Sequence, residues 1–380
     1  LNIMGDSLEA EDKSVRRIPV AHPDLSGNEM AYVTDCIETE WLTWQGAYVG
    51  RFEKAFAEWA DVKHAITCAN GTVALHLALV VLGIGPGDEV IVPSMTYVAS
   101  ANAVAYVNAD LVLVDSDANT LNVTTEAIVA AVTPRTKAVI PVDLYGMPVD
   151  VQALRAALPE GVAIVEDAAE ALGARVRGEH VGRYADLATY SFFGNKTLTT
   201  GEGGMVTCES DELADLLRLY RGQGQDPQRT YFHPVLGFNY RLTNLQAAVG
   251  LAQLERIEHH LDRRRHVVDR YMDHLGDLTH RIHLPRPGAD MEHGNWMFTV
   301  VLRDANATRR DEIRATLAAD GIETRPGFTP VHRLPMHADS RAFPVADWVG
   351  DCAISLPTHS RLTDDDVDFV SARLRAALGA

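Results

Sequence analysis

An α/β protein, with a mainly parallel sheet flanked by helices and a smaller C-terminal α+β part, is predicted by three observations. Short continuous apolar runs alternate with helical patterns between about residues 60 and 210. Longer helical patterns follow at 210–223 and 244–272, the second carrying the charged stretch Glu255 to Arg265. From about residue 275 onward, strand and helix patterns mix again. Strands that are apolar throughout, rather than alternating, indicate a parallel sheet covered on both faces.

The elements follow in order. The turn Gly85-Pro86-Gly87-Asp88 introduces a strand over Glu89 to Pro93. Further apolar strands are read over Leu111 to Asp115, Ala138 to Val142 and Ala163 to Asp167. Helices fill the gaps over Val73 to Leu82, Ala99 to Val107, Thr125 to Val132 and Val151 to Leu158. In the last third, a strand over Met297 to Leu302 is joined by helices near 307–319 and 363–378. These boundaries suggest a flexible lead at 1–20, a large domain at 21–255, and a connecting helix with a small domain at 256–380. In sheets of this kind, ligands bind beyond the carboxyl ends of the strands.

Composition narrows the function classes. The 380 residues carry 34 basic and 52 acidic side chains, a formal net charge of −18. That sign argues against nucleic acid or an anionic membrane as partner. The scattered Cys36, Cys68, Cys208 and Cys352 form no CxxC pair and fit reduced thiols in a cytoplasmic protein. No apolar run is long enough to span a membrane.

Four features could together hold a phosphorylated aldehyde. Lys196 lies in Ser191-Phe192-Phe193-Gly194-Asn195-Lys196-Thr197, just after the apolar run containing Tyr190. Lysine forms Schiff bases with carbonyls, and burial makes its amine nucleophilic; the other reading is an exposed lysine in a turn. Asn70-Gly71-Thr72 follows a strand-like Ala65-Ile66-Thr67 and opens a helix, a ready anion site. An ordinary Asn or Thr helix cap is the alternative there. Asp167 ends an apolar strand, where a carboxylate can hold a proton on a pyridine nitrogen; a capping aspartate reads equally well. Tyr97, after the strand at 89–93, can stack on an aromatic ring or pack in the core. Phosphate cradle, stacking ring, ring-nitrogen carboxylate and lysine are the four handles of pyridoxal 5'-phosphate (PLP).

On these residues, with Glu166-Asp167-Ala168-Ala169-Glu170, Ser191 through Gly204 and Gly237-Phe238-Asn239-Tyr240-Arg241-Leu242, the chain resembles the DegT/DnrJ/EryC1/StrS sugar aminotransferases. These are PLP enzymes of the aspartate-aminotransferase fold (type I). The resemblance implies that Lys196 is the catalytic residue that binds the cofactor covalently and that Asp167 pairs with the pyridine nitrogen. It further implies Glu170 near the cofactor's O3′, Tyr97 on its ring, Gly71, Thr72 and Ser191 at its phosphate, and Asn70 among the cofactor-binding residues. A homodimer with shared active sites is implied, Asn239 reaching the neighbouring subunit's phosphate. The substrates implied are L-glutamate and a nucleotide-diphosphate keto-sugar. A related branch of dehydratases carries histidine in place of the lysine, and this chain keeps Lys196.

Glu170, where many relatives carry glutamine or histidine, and Glu323-Thr324-Arg325-Pro326 leading to Pro330-Val331-His332 place the likeness more narrowly. They suggest amination of a GDP-linked 4-keto-6-deoxymannose, with C3 amination or a dTDP-linked sugar left open. Arg241, Arg325, His332 and Arg333 are candidates to meet the diphosphate. Trp44, in the loop Glu40 to Gly46, lines the sugar–nucleotide site by resemblance, or packs in a dimer. Glu258, His259, His260 and His266 read as a solvated helix face rather than metal ligands. A nicotinamide-dependent sugar oxidoreductase is the rival class. Its Gly83-Ile84-Gly85-Pro86-Gly87, however, precedes a strand, whereas a dinucleotide loop follows one.

Overall fold

The computed structural model describes residues 16–379. Helices α1 (Glu29–Glu38) and α2 (Ala47–Ala60) lead into β1 (His64–Cys68). Strands and helices then alternate through α3 (Gly71–Val81), β2 (Glu89–Pro93), α4 (Ala99–Tyr106), β3 (Asp110–Val114), α5 (Thr125–Ala131), β4 (Thr136–Val139), α6 (Val151–Ala157) and β5 (Ala163–Asp167). The hairpin β6 (Arg175–Val176) and β7 (Glu179–His180) precedes β8 (Leu187–Ser191), β9 (Gly204–Cys208) and α7 (Asp211–Arg221). These strands build a seven-stranded sheet in the order β1-β9-β8-β5-β4-β2-β3. β2, β3, β4, β5 and β8 pair in parallel, and β9 runs against both of its neighbours.

The parallel strands are apolar along most of their length, with polar residues at their ends, because helices cover both faces. α3 shows the same logic: Ala74, Leu75, Leu77, Ala78 and Leu79 are all at most 2% exposed, so this helix is buried nearly all round. α2 buries Tyr48, Phe52 and Phe56 at four-residue spacing, a helical stripe that the residues display.

The helix expected over 244–272 is two helices, α8 (Asn244–Leu254) and α9 (Ile257–Leu275). The break has identifiable anchors. Asn28 and Tyr32 of the α1 region grip Glu255 at 2.7 Å each, and the Arg256 guanidinium reaches Ser26 at 2.5 Å. Those bonds to a neighbouring element replace continuation of one straight helix.

Beyond α9 come β10 (Ile282–His283), β11 (Met291–Glu292), β12 (Phe298–Leu302), α10 (Ala307–Ala319), β13 (Arg325–Pro326), α11 (Pro344–Cys352), β14 (Ala353–Leu356) and α12 (Asp364–Leu378). A four-stranded antiparallel sheet, β10-β12-β14-β13, forms the smaller C-terminal layer. Of the lead expected to be flexible, residues 1–15 lie outside the described residues. Ile18 and Val20 are 2% exposed, and Ile18 bridges to Ile322 because both apolar side chains enter the small domain's core. Among the described residues, no helix is long and apolar enough to cross a membrane.

Candidate active site

The carboxyl ends of β1, β2, β5 and β8 bring Asn70–Thr72, Ser94–Tyr97, Asp167 and Ser191 to one edge of the sheet. Asn70 caps α3, its carboxamide oxygen accepting the Val73 N–H at 3.0 Å. That side chain is therefore engaged by the helix it opens. The first-turn N–H groups of Gly71 and Thr72 have no partner within the helix. A Cβ at Gly71 would stand 2.9 Å from the Ser191 Cβ, so only glycine lets the helix start approach β8 this closely. The result is a polar cradle of first-turn backbone N–H groups beside the Ser191 hydroxyl, with Thr72 in the same turn.

Asp167 is 6% exposed. Its Oδ2 accepts from the Ser100 hydroxyl at 2.7 Å and its Oδ1 from the Ala169 N–H at 3.2 Å. Burial pushes its carboxyl above the usual range, while Ser100, Ala169 and the Lys196 charge all favour the anion. An inward carboxyl in this state fits a protonated ring nitrogen, which would supply a nearby positive charge.

Glu170 accepts the Tyr145 N–H at 2.7 Å, and Lys196 Nζ lies 3.7 Å from its other oxygen. Burial raises Glu170 to about 7 against the opposing pull of Lys196 and that N–H. Burial likewise lowers the Lys196 amine from its ordinary value, opposed by Glu170 and Asp167. Burial thus moves Lys196 in the direction that nucleophilic work requires.

Trp296 was not found from the sequence. Its ring centroid is 3.7 Å from Lys196 Nζ, and its indole N–H donates to the Asn195 carbonyl at 3.0 Å. The buried Arg264 guanidinium holds the Trp296 carbonyl at 2.9 Å and the Thr358 carbonyl at 2.7 Å, fixing the indole's approach. Tyr145 was missed as well. It stacks between Trp296 and Phe328, with centroids 6.4 and 5.4 Å away, in a left-handed backbone conformation at φ 57°. Its position just after an apolar strand, before Gly146, is the signal that could have marked it. The Tyr145 hydroxyl and Asn195 Oδ1 are buried without a protein partner, which fits a site built around a polar ligand.

Tyr97 belongs to the same edge. It precedes α4, its ring meets Phe328 edge-on at 5.5 Å, and it is 57% exposed. That leaves a ring face available for stacking.

A second group gathers at the segment before α8. Asn239 accepts from Arg241 Nε at 3.1 Å, and the Arg241 guanidinium lies over Trp44, 4.9 Å from the ring centroid. The Ala69 N–H donates to the Tyr240 carbonyl at 2.8 Å, tying this group to the start of the cradle. Asn244 bolts the tryptophan loop in place: its amide bonds the Trp41 carbonyl at 2.7 Å and its oxygen accepts the Tyr48 N–H at 2.9 Å.

The C-terminal candidates are already partnered. Arg325 pairs with Glu323 at 2.8 Å. His332 uses both ring nitrogens, on Ser94 Oγ at 2.7 Å and Asp347 at 3.0 Å, so it stands as a strut between β2's end and α11. Arg333 pairs with Asp347 at 2.5 Å and Asp351 at 2.7 Å. On α9, His266 pairs with Asp364 at 2.8 Å, and His259 lies 3.8 Å from Asp24.

A buried lysine of lowered pKa, two buried carboxyls and an anion cradle at the strand ends define a PLP-dependent aminotransferase of fold type I. Residues 23–375 match the DegT/DnrJ/EryC1/StrS aminotransferase family, and the chain belongs to it. It is 50% identical to the GDP-perosamine synthase of Caulobacter vibrioides, over 95% of this chain and 98% of the relative. It is 42% identical to the GDP-perosamine synthase of Escherichia coli O157:H7, over 94% of this chain and 97% of the relative. Among solved structures, S. venezuelae DesV superposes with a TM-score of 0.90 at 34% identity, covering 96% of this chain and all of that one (100%). A sugar aminotransferase from Streptococcus pneumoniae in its PLP form superposes with a TM-score of 0.91 at 29% identity, covering 96% and 99%.

Proposed function

We propose that the protein transfers the amino group of L-glutamate to C4 of GDP-4-keto-6-deoxy-D-mannose, giving GDP-perosamine. The observation that carries this reading is the likeness to GDP-perosamine synthases across nearly the whole chain, at 42–50% identity. The geometry is consistent with it: a buried amine among carboxyls, with an arginine–tryptophan pair near the cradle.

When bound, PLP supplies the carbonyl that carries the amino group and the electron-poor ring that makes a neighbouring C–H acidic. The protein's residues do the rest. The first turn of α3 with Thr72 and Ser191 holds the phosphate, and Tyr97 offers a stacking face. Asp167 holds a proton on the ring nitrogen. Lys196 Nζ, uncharged when its pKa is depressed, takes the proton from the glutamate α-carbon and later delivers one to the sugar's C4. Glu170 stands beside that amine and favours its protonated form, so the two share the proton traffic. Trp296 closes one side of the amine against water, which strengthens each of these charge interactions.

Arg241 is the proposed contact for the diphosphate, with Trp44 beside it; Arg325 would serve after release from Glu323. Asn239 would act across a homodimer with shared active sites. Support for the dimer is a set of large apolar side chains left exposed, Met30 (79%), Trp41 (54%) and Leu236 (88%) among them. The domain limits at 21–255 and 256–380 are proposed on the same footing, the second beginning one residue before α9.

Incubation with GDP-4-keto-6-deoxy-D-mannose and L-glutamate should yield 2-oxoglutarate and a 4-amino product identified by NMR. A second reading, amination at C3, has an observation in its favour. The chain is also 39% identical, over 86% of its length, to a UDP-N-acetyl-3-dehydro-alpha-D-glucosamine 3-aminotransferase of Acidithiobacillus ferrooxidans. A 3-amino product, or turnover only with another nucleotide, would replace the first reading.

A further inference from the structure

Behind Asp167 lies a pair of carboxyls that none of the steps above uses. Asp143 follows β4, and Glu166 immediately precedes Asp167 on β5. Their exposures are 0% and 1%. The two carboxyl groups lie close enough for each to act on the other's charge. Each has one backbone donor besides: the Val149 N–H reaches Asp143 Oδ1 at 2.8 Å, and the Gly182 N–H reaches Glu166 Oε2 at 2.6 Å. Asp143 Oδ2 is buried, and no other described group donates to it.

An ionised carboxylate only accepts hydrogen bonds, so a buried carboxyl oxygen that no donor reaches is satisfied only by carrying a proton itself and offering it to its neighbour. The oxygen that lacks a donor is where that proton belongs. The surroundings offer no substitute. The charges acting on Asp143 are those of Glu166 and Asp167, and both are negative. On β8, the Tyr190 hydroxyl donates to the Val181 carbonyl at 2.8 Å instead. A small pocket beside Glu166 is rimmed by Glu179, His180, Arg183 and Tyr184. There, Arg183 is paired with Glu209, and His180 with Arg175 at 2.6 Å.

We propose that Asp143 and Glu166 share one proton, carried on Asp143 Oδ2, and that this singly charged pair positions Asp167. The main chain supplies the link. The Asp143 N–H donates to the Asp167 carbonyl at 3.1 Å, and the Asp167 N–H donates to the Pro141 carbonyl at 2.9 Å. Asp167 is thus held on both sides by the strand end that the pair locks to β5. Two full charges in this dry space would repel each other and Asp167, loosening that end of the sheet. Burial raises Asp143 well above the carboxylate range and Glu166 to about 7, in keeping with a retained proton. The inference stands whichever sugar is aminated.

The test compares the full-length holoenzyme with Asp143→Asn and Asp143→Ala. A carboxamide accepts from Val149 and donates to Glu166 without any proton to lose. The infrared difference spectrum of native minus Asp143→Asn at about pH 7 should show the carbonyl stretch of one protonated acid, shifted in D2O, while the Glu170 band common to both cancels. The Asn variant should keep its cofactor on dialysis, and its melting temperature should fall less than the native protein's when the pH is raised to about 9. Asp143→Ala, which leaves Glu166 without its donor, should release the cofactor. Identical infrared spectra for native and Asn proteins would overturn the proposal. So would an Asn variant that loses cofactor as readily as the Ala variant.

Discussion

At the strand ends, Lys196 and Glu170 keep only 13% and 6% of their side chains exposed, whereas Trp44 is 42% exposed and the Arg325 side chain 37%. The inner carboxyls are each anchored to a backbone amide, Asp167 to Ala169 and Glu170 to Tyr145. The outer arginines are held by side chains: Arg325 by Glu323, and Arg241 by Asn239 and the face of Trp44. Buried charges cannot fall back on water, so they need fixed partners and respond with shifted pKa values. Exposed ion pairs contribute little and exchange readily for a ligand's charge. On the proposed function, the inner region is preorganised for proton transfer and the outer one is free to adapt to a nucleotide.

That contrast can be broken most severely at Lys196. Lys196→Ala should reduce turnover by about 10⁴-fold or more while leaving circular dichroism unchanged. Surviving activity would remove the amine from the chemistry. Asp167→Ala should follow, with a loss of about 10²-fold or more in turnover and faster cofactor release on gel filtration. Full activity in that variant would place the ring-nitrogen partner elsewhere.

Trp296→Leu opens one side of the amine to water and removes the ring contact at 3.7 Å, so a fall of roughly tenfold in kcat is expected. Because the ring favours the ammonium form, the variant's Lys196 should titrate lower still. Acylation of that amine against pH in the apoprotein measures this, and Trp296→Phe should restore most of the native profile.

On the outer side, Arg241→Ala should raise KM for the nucleotide sugar roughly tenfold with kcat nearly unchanged, the value of one charged hydrogen bond. A kcat effect as large as that of Trp296→Leu would erase the distinction between the two regions.

The smallest effect is on stability. Glu170 is raised from 4.5 to about 7. A buried acid raised in this way has its full stabilising effect below its unfolded pKa and loses it as pH rises through 7. Apoprotein melting temperature should therefore decline between about pH 4.5 and 7.5 and level off above that, and Glu170→Gln should decline less. Glu166 titrates over the same range, so the difference between the two proteins, rather than either slope, isolates Glu170.

Much of this was legible along the chain. The apolar runs at 89–93 and 163–167 are strands with those bounds, and the helices at 307–319 and 363–378 agree within a residue. α8 and α9 were fused in the reading because both sides of the break are good helix formers. What parts them is the grip of Asn28 and Tyr32 on Glu255, more than two hundred residues distant in sequence (|i−j| = 227 and 223). His332 looked like a free cation in the string Pro330-Val331-His332. Its two ring nitrogens are taken by Ser94 and Asp347, residues that no local pattern connects to it.

The sequence by itself determined the alternation of strands and helices, the glycine at the cradle, and which lysine and carboxylates stand at strand ends. Those depend on side-chain chemistry and on spacings of a few residues, which the chain displays directly. Only the tertiary structure decided that Trp296 lies over Lys196, that Arg264 holds it there, and that Asp143 meets Glu166. Trp296 and Asn195 are separated by 101 positions and meet at 3.0 Å. Such contacts come from how whole elements pack, so burial and pKa, the properties that turn residues into chemistry, are fixed only when the core closes.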